Sequence, residues 1–404
     1  MSKSVLRIPR SLWRPWNAVR RPVHRVLGAL RGAAAQRRQL KLVGKYIAVT
    51  GSCGKSTTTL LIGKILSGVG STRVANHPNY GPHLIRTVRK LRAPVDFVVQ
   101  EASGWGPGAL VEFTHWLRID VAVVTAVGLD HGSRFRYQDV EIIDAIAREK
   151  GRIVEAADAA GFVCLNADDP RVRAMAARAR ARVVTFGLAA DADLRASNLD
   201  ARWPGRLSFD LLVDGQTHRV ATRFVGTLML PNILAALAVA HGLGLDLKAA
   251  ISAIAAVEPV RDRMGVHQGA DGKTYILDAF KASYWSTVRM VDDLPSYGTR
   301  EMIFVLGDMS DIGNDSGRKY RKLLRTLCQS VNEVVAAGNS ARYVEKLQAQ
   351  GITNLVEAPT AIDVARYLDT RPPGLVILKS SKNAQLWRVL EQVTPRQPVE
   401  TLGE

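Results

Sequence analysis

Cysteine is scarce: Cys53, Cys164 and Cys328 are the only three in 404 residues, too few for a disulfide framework or a four-thiolate zinc site. A reducing compartment is the expected setting. Long apolar runs are also lacking. None approaches the ~18 residues of a membrane-spanning helix, and the N-terminus has no apolar core that would make its arginines part of a secretory signal. The expected location is the cytoplasm. Internal repeats and long low-complexity tracts are absent, which excludes a solenoid. With 47% hydrophobic and 23% charged residues, the chain has enough apolar material for two or three packed domains.

Acidic residues are missing from the first quarter. Residues 1–95 carry 19 Lys or Arg and no Asp or Glu, so the remainder, with 36 basic against 37 acidic residues, is close to neutral. The net charge of +18 is therefore local, and no nucleic-acid partner is expected for the body of the protein. Within residues 1–42, Val19, Val23, Val26, Leu27 and Leu30 recur at helical spacing with Arg20, Arg21, Arg25 and Arg31 between them. That is the pattern of a basic amphipathic helix on an anionic membrane at the inner face, or of one that grips a polyanionic acceptor. A helix packed on the protein's own body, or a loose basic tail, fits equally. Pro9, Pro15 and Pro22 predict that no single long helix runs through the segment.

From residue 43 the rhythm is that of α/β units, apolar strands alternating with helices, as in a parallel sheet covered on both faces. Strands are predicted at 46–50, 96–100, 121–125, 162–165 and 183–186, and helices at 55–69, 139–157 and 171–179. Residues 192–225 read as a small antiparallel excursion, and 231–256 as a helical linker. The Glu258-Pro259 region marks a boundary, after which strands recur near 275–277, 302–306, 334–336 and 376–378. The expected plan is a basic extension at 1–42, a nucleotide-binding domain at 43–257 and a Rossmann-like domain at 258–404.

The sharpest chemical signal is Gly51-Ser52-Cys53-Gly54-Lys55-Ser56-Thr57, placed between an apolar strand and a helix. Such a turn closes backbone N–H groups around phosphate oxygens at a helix N-terminus; the lysine reaches the terminal phosphates and the serine hydroxyl holds magnesium. The pattern is GxxGK[ST] rather than the common GxxxxGK[ST].

That loop and the motifs after it resemble the Mur ligase superfamily, enzymes that use ATP to turn a carboxylate into an acyl phosphate and pass it to an amine. VTGSCGKSTTT resembles their nucleotide loop, VVQEASGWGPGAL their Glu-bearing strand end, VVTAVGLDH their strand ending in His, and IAREKGRIVEA the helix of their functional lysine. GFVCLNADDP, GTLMLPNILAALAVAHGLG, RDRM, ILDAFKAS, VLGDMSDIG and ILKSS follow in the family's order. The resemblance implies ATP and magnesium chemistry with two ions, held by Ser56, Glu101 and His131, and by Lys150 if carbamylated. It implies an adenine contact from Asn232, a ribose contact from Asp278, and Arg263 as the hinge arginine that reaches the phosphates. His77, Asn79 and Gly81 lie where the family binds its acceptor, and Lys281 and Lys379 are weaker candidates. Read on residue type alone, Glu101 is a solvated carboxylate, His131 a structural histidine, Lys150 an exposed lysine and Asn232 a helix cap.

Departures from the family pattern fall on the substrate side. Peptidoglycan ligases carry an N-terminal domain for a UDP-sugar, which 42 Arg-rich residues cannot supply; folylpolyglutamate and poly-gamma-glutamate synthases lack it too. The third-domain motifs are most similar to the branch that adds D-alanyl-D-alanine, yet Ser380 replaces its Gly, Lys382 its Arg, and Lys281-Ala282-Ser283 its Asn-Ala-Asn. The expected function is amide-bond formation between an acceptor carboxylate and an amino acid or small amine, with release of ADP and phosphate. The competing expectation is a nucleotide-binding regulatory or scaffold protein without ligase activity.

Overall fold

The computed structural model describes residues 13–393 except 82, 137–139 and 314, with side chains of the first helix described from residue 27. Two sheets organise the chain. The first contains β1 (Val43–Thr50), β2 (Thr72–Ala75), β3 (Val95–Glu101), β4 (Ile119–Val124), β5 (Ala157–Asn166), β6 (Arg182–Gly187), β7 (Leu194–Asp200), β8 (Ser208–Val213) and β9 (Gln216–Ala221). Their order is β2-β3-β1-β4-β5-β6-β7-β8-β9. Pairing is parallel from β2 through β7, then antiparallel through β8 and β9. The antiparallel segment therefore extends the main sheet rather than standing apart from it.

The second sheet contains β10 (Gly265–Gln268), β11 (Thr274–Asp278), β12 (Met302–Leu306), β13 (Glu333–Ala336), β14 (Leu355–Glu357) and β15 (Leu375–Lys379). Its order is β10-β11-β15-β12-β13-β14, parallel except for the β10–β11 pair. The central strands β1 and β4 are mainly apolar because helices cover both faces; every residue of β4 is buried, including Asp120, which accepts from the Tyr46 N–H. A continuous apolar cluster runs from Ile47 and Val49 through Ile233 and Leu237 of the 230–242 helix to Ile276, Phe304 and Ile377 of the second sheet. The two sheets are also tied by Asp293, whose carboxylate accepts from the backbone N–H groups of Thr227 and Leu228.

Residues Trp13–Leu42 form one helix, which corrects the expectation that proline would divide this segment. Pro15 lies in the first turn, where its missing N–H has no intrahelical partner to lose. Pro22 removes one backbone hydrogen bond, which the long helical run after it tolerates. The second half of the helix packs on the body: Ala35 is buried, and Gln39 exchanges hydrogen bonds with the backbone of Arg118. Among the described residues no helix is long and apolar enough to cross a membrane.

Candidate active site

In the first sheet β1 has β3 on one side and β4 on the other. Its carboxyl end is thus the switch point where open α/β sheets bind ligands. Gly51–Gly54 turn the chain there into the helix Lys55–Leu66. Gly54 has φ 78°, and a Cβ on it would lie 1.9 Å from Oδ1 of Asn232; only glycine meets both conditions. Ser52 anchors the loop to the strand beyond: its Oγ donates to the Gly128 carbonyl at 2.9 Å and accepts from the Gly128 N–H at 2.8 Å. Thr125 Oγ1 donates to the Cys53 carbonyl at 2.6 Å. Burial raises the Cys53 thiol against the lowering effect of Arg289 and Lys55, so it is a neutral part of the loop wall.

A cavity of about 350 Å³ opens above this loop. The residues from Ser52 to Thr57 line it, as do Glu101, His131, Asn232, Arg263 and Asp278. Gly51 and Lys150 are not on its wall. Ser56 Oγ donates to Glu101 Oε2 at 2.6 Å, and Asn79 Nδ2 donates to Glu101 Oε1 at 2.6 Å. Glu101 ends β3 buried; both its oxygens are held, so it is not a solvated loop carboxylate. Lys55 Nζ donates back to the Gly51 carbonyl at 2.9 Å and lies 4.0 Å from Asp130 Oδ2. Asn232 sits within the first turn of the 230–242 helix with Thr58 Oγ1 3.4 Å from its Oδ1. It therefore braces the phosphate loop rather than capping its own helix.

The second sheet supplies the opposite wall. Arg263 lies with its guanidinium 4.3 Å from the centre of the Phe280 ring, a stack that fixes its plane at the cavity. Asp278 Oδ2 accepts from Lys379 Nζ at 2.6 Å, and Lys379 also donates to the Lys281 carbonyl. Lys281 Nζ crosses to Asp130 Oδ1 at 2.5 Å. His131 Nδ1 stands 3.6 Å from Asp311 Oδ2, and both residues have positive φ, 55° and 52°, a backbone cost that non-glycine residues bear mainly at functional sites. His131, Asp130 and Asp311 offer ligand atoms all within 4.8 Å of one another.

Asp130 and Asp311 lie within the VVTAVGLDH and VLGDMSDIG motifs, but no local pattern marks them for a role, because what makes them notable is contact between the two parts of the fold. Burial would raise the Asp130 carboxyl; Lys55, Lys281 and His131 outweigh it and hold it at about 2. Lys150 lies on the helix Ile142–Glu155 and is 2% exposed, which corrects the reading of it as an exposed lysine. Burial, then Lys55, push its ammonium down to about 7, against the pull of Asp130. Its neighbour Glu149 is committed elsewhere, accepting from the N–H groups of Gly108 and Leu110 at 2.8 Å each.

The sequence and the fold both match known proteins. The family model described as the Mur ligase middle domain matches residues 49–240. The UDP-N-acetylmuramoylalanine--D-glutamate ligase of Geotalea uraniireducens is 30% identical over 361 residues, spanning 85% of this chain and 73% of that one. The chain belongs to the Mur ligase family. A second relative, the UDP-N-acetylmuramoyl-tripeptide--D-alanyl-D-alanine ligase of Mycobacterium tuberculosis, is 28% identical over 374 residues, 85% of this chain and 72% of that one.

Among solved structures, this Mur ligase superposes on MurF from Acinetobacter baumannii with a TM-score of 0.78 at 21% identity, covering 90% of this chain and 80% of that one. MurF from Thermotoga maritima in complex with ADP gives 0.75 at 20% identity, covering 90% and 82%. The protein is an ATP-dependent ligase that joins a carboxylate-bearing acceptor to an amine through an amide bond. The reading as a regulatory protein without ligase activity finds no support among these relatives.

Proposed function

We propose that the cavity between the sheets activates the acceptor as an acyl phosphate, and that residues from about 258 onward form the part that closes over ATP. The single observation that carries this is the meeting, around one cavity, of Lys55 and Ser56 with Glu101 from the first sheet and Arg263, Asp278 and Lys281 from the second. Lys55 and Arg263 would bind the phosphates and neutralise charge as the γ-phosphoryl group moves to the carboxylate oxygen. The acceptor carboxylate attacks phosphorus, ADP leaves, and the amine then displaces phosphate from the acyl carbon. Asn79, hydrogen-bonded to Glu101, and His77 line the same cavity and would meet the acceptor.

Magnesium fits the residues present: Ser56 and Glu101 bring hard oxygen donors to hydrogen-bond distance beside the phosphate loop. A second position would use His131, with Asp311 and Asp130 close by, and Lys150 as a carbamate. Magnesium there would supply charge neutralisation between carboxylate and phosphate. The neutral amine that a pKa of about 7 makes available to Lys150 is the form that adds carbon dioxide, which supports the carbamate assignment. We also place the protein at the inner membrane face, through the basic helix that begins the described chain.

Transfer of label tests the mechanism. An acceptor with ¹⁸O in its carboxylate should deliver one ¹⁸O to the released inorganic phosphate for each amide formed. Unlabelled phosphate alongside labelled amide would overturn the acyl phosphate.

A further inference from the structure

Away from the reaction cavity, a groove of about 760 Å³ runs between the first helix and the helix His83–Arg89. Arg31, His83, Arg86, Arg89 and Lys90 line it, with Glu112 the carboxylate on its wall. Among the described residues, Arg31, Arg86, Arg89 and Lys90 form no ion pair. Four cations share one cavity with a single carboxylate, Glu112, that pairs with none of them, and a compact, multiply charged anion would relieve their repulsion. Arginine forks suit phosphate oxygens in particular, two N–H groups to two oxygens.

The groove is built rather than incidental. Arg38 Nε donates to the Leu91 carbonyl at 2.6 Å, tying the first helix to the residue that follows Lys90. Gly32 presses the helix so close to Trp116 that a Cβ would fall 2.2 Å from the indole. Beside it Leu27 and Leu30 stand 40% and 61% exposed. The helix His83–Arg89 begins four residues after Asn79, whose amide holds Glu101. That helix, about 10 Å long, carries His83, Arg86 and Arg89 on the groove, and its start lies four residues from Asn79 on the wall of the reaction cavity.

We infer that this groove binds the phosphate or diphosphate end of the acceptor while the acceptor carboxylate lies beside Glu101. The inference rests on the ligase reading and names its acceptor class: a phosphate-bearing molecule, presented either on a lipid or in solution.

The test uses the full chain saturated with magnesium and a non-hydrolysable ATP analogue, so that the phosphate loop is filled, and titrates inorganic pyrophosphate by calorimetry. The double variant Arg86→Gln/Arg89→Gln should weaken pyrophosphate at least tenfold and leave the affinity for the analogue unchanged. Gly32→Val, which keeps every charge but forces the helix off Trp116, should weaken it similarly, with a melting curve to confirm that the protein stays folded. Pyrophosphate that fails to bind, or binds the double variant as well as the parent, overturns the inference.

Sedimentation with phosphatidylglycerol vesicles separates the sources. Pelleting that the double variant loses and pyrophosphate competes away identifies a lipid phosphate. Pelleting alike for parent and variant, with pyrophosphate binding lost only in the variant, identifies a soluble one. Failure of the ligase reading would show separately, as analogue binding without amide formation.

Discussion

Lys281 Nζ, in the loop after β11, lies 2.5 Å from Oδ1 of Asp130, in the loop after β4. This bond joins the two halves directly above the phosphate loop, and Asp130 also faces Lys55 at 4.0 Å. Removing it should loosen closure more than folding. Lys281→Met is expected to lower kcat/KM for ATP about tenfold, roughly 1.4 kcal/mol, and to increase the radius of gyration in small-angle scattering. An unchanged kcat/KM would deny the bond a role in closure.

The same carboxylate gives an acid limb to stability. Its folded value is depressed to about 2 from an unfolded value of about 3.9, so its contribution is complete above about pH 4 and disappears as pH falls towards 2. Asp130→Asn should flatten that part of the stability curve, read from denaturant midpoints between pH 2 and 5.

Lys150 has the opposite thermodynamic sense. Its folded value of about 7 lies below the unfolded value of about 10.4, so burying it costs stability in full below pH 7, and the cost fades as pH rises towards 10. In bicarbonate-free buffer Lys150→Met should therefore melt at a higher temperature than the parent at pH 7, with the gap closing above pH 10. The variant should be inactive, and activity in the parent should rise with added bicarbonate.

Much of this organisation was legible in the sequence, for local reasons. The phosphate loop is a contiguous turn between an apolar strand and a helix, and the main strands are unbroken apolar runs. The short strands β2, β10 and β14 gave little signal, because three or four partly exposed residues at or near a sheet edge carry no periodicity. Contacts such as Lys281 with Asp130, 151 residues apart, depend on how the sheets meet and leave no local pattern. Proline misled at the N-terminus because its effect depends on the turn it occupies.

Gly54 should tolerate no side chain. Gly54→Ala places a methyl group 1.9 Å from Asn232 Oδ1 at a φ of 78°, which strains the loop that meets the phosphates. ATP affinity should fall at least tenfold by calorimetry while the melting temperature moves by only a few degrees. Unaltered ATP binding would remove this loop from the nucleotide site.

Glu101→Gln keeps the shape of the Ser56 contact but removes its charge. A loss of several kcal/mol of charge stabilisation predicts at least a hundredfold lower kcat and a higher magnesium requirement. A normal magnesium titration would place the metal elsewhere.

The central claim is that ATP cleavage here is coupled to amide formation. Purified protein incubated with magnesium, ATP, phosphate-bearing carboxylate acceptors and amino acids or dipeptides should release one ADP and one phosphate for each product lighter by one water than its two substrates, and Lys55→Ala should abolish both. ATP hydrolysis that persists with every acceptor and amine but yields no amide would contradict it.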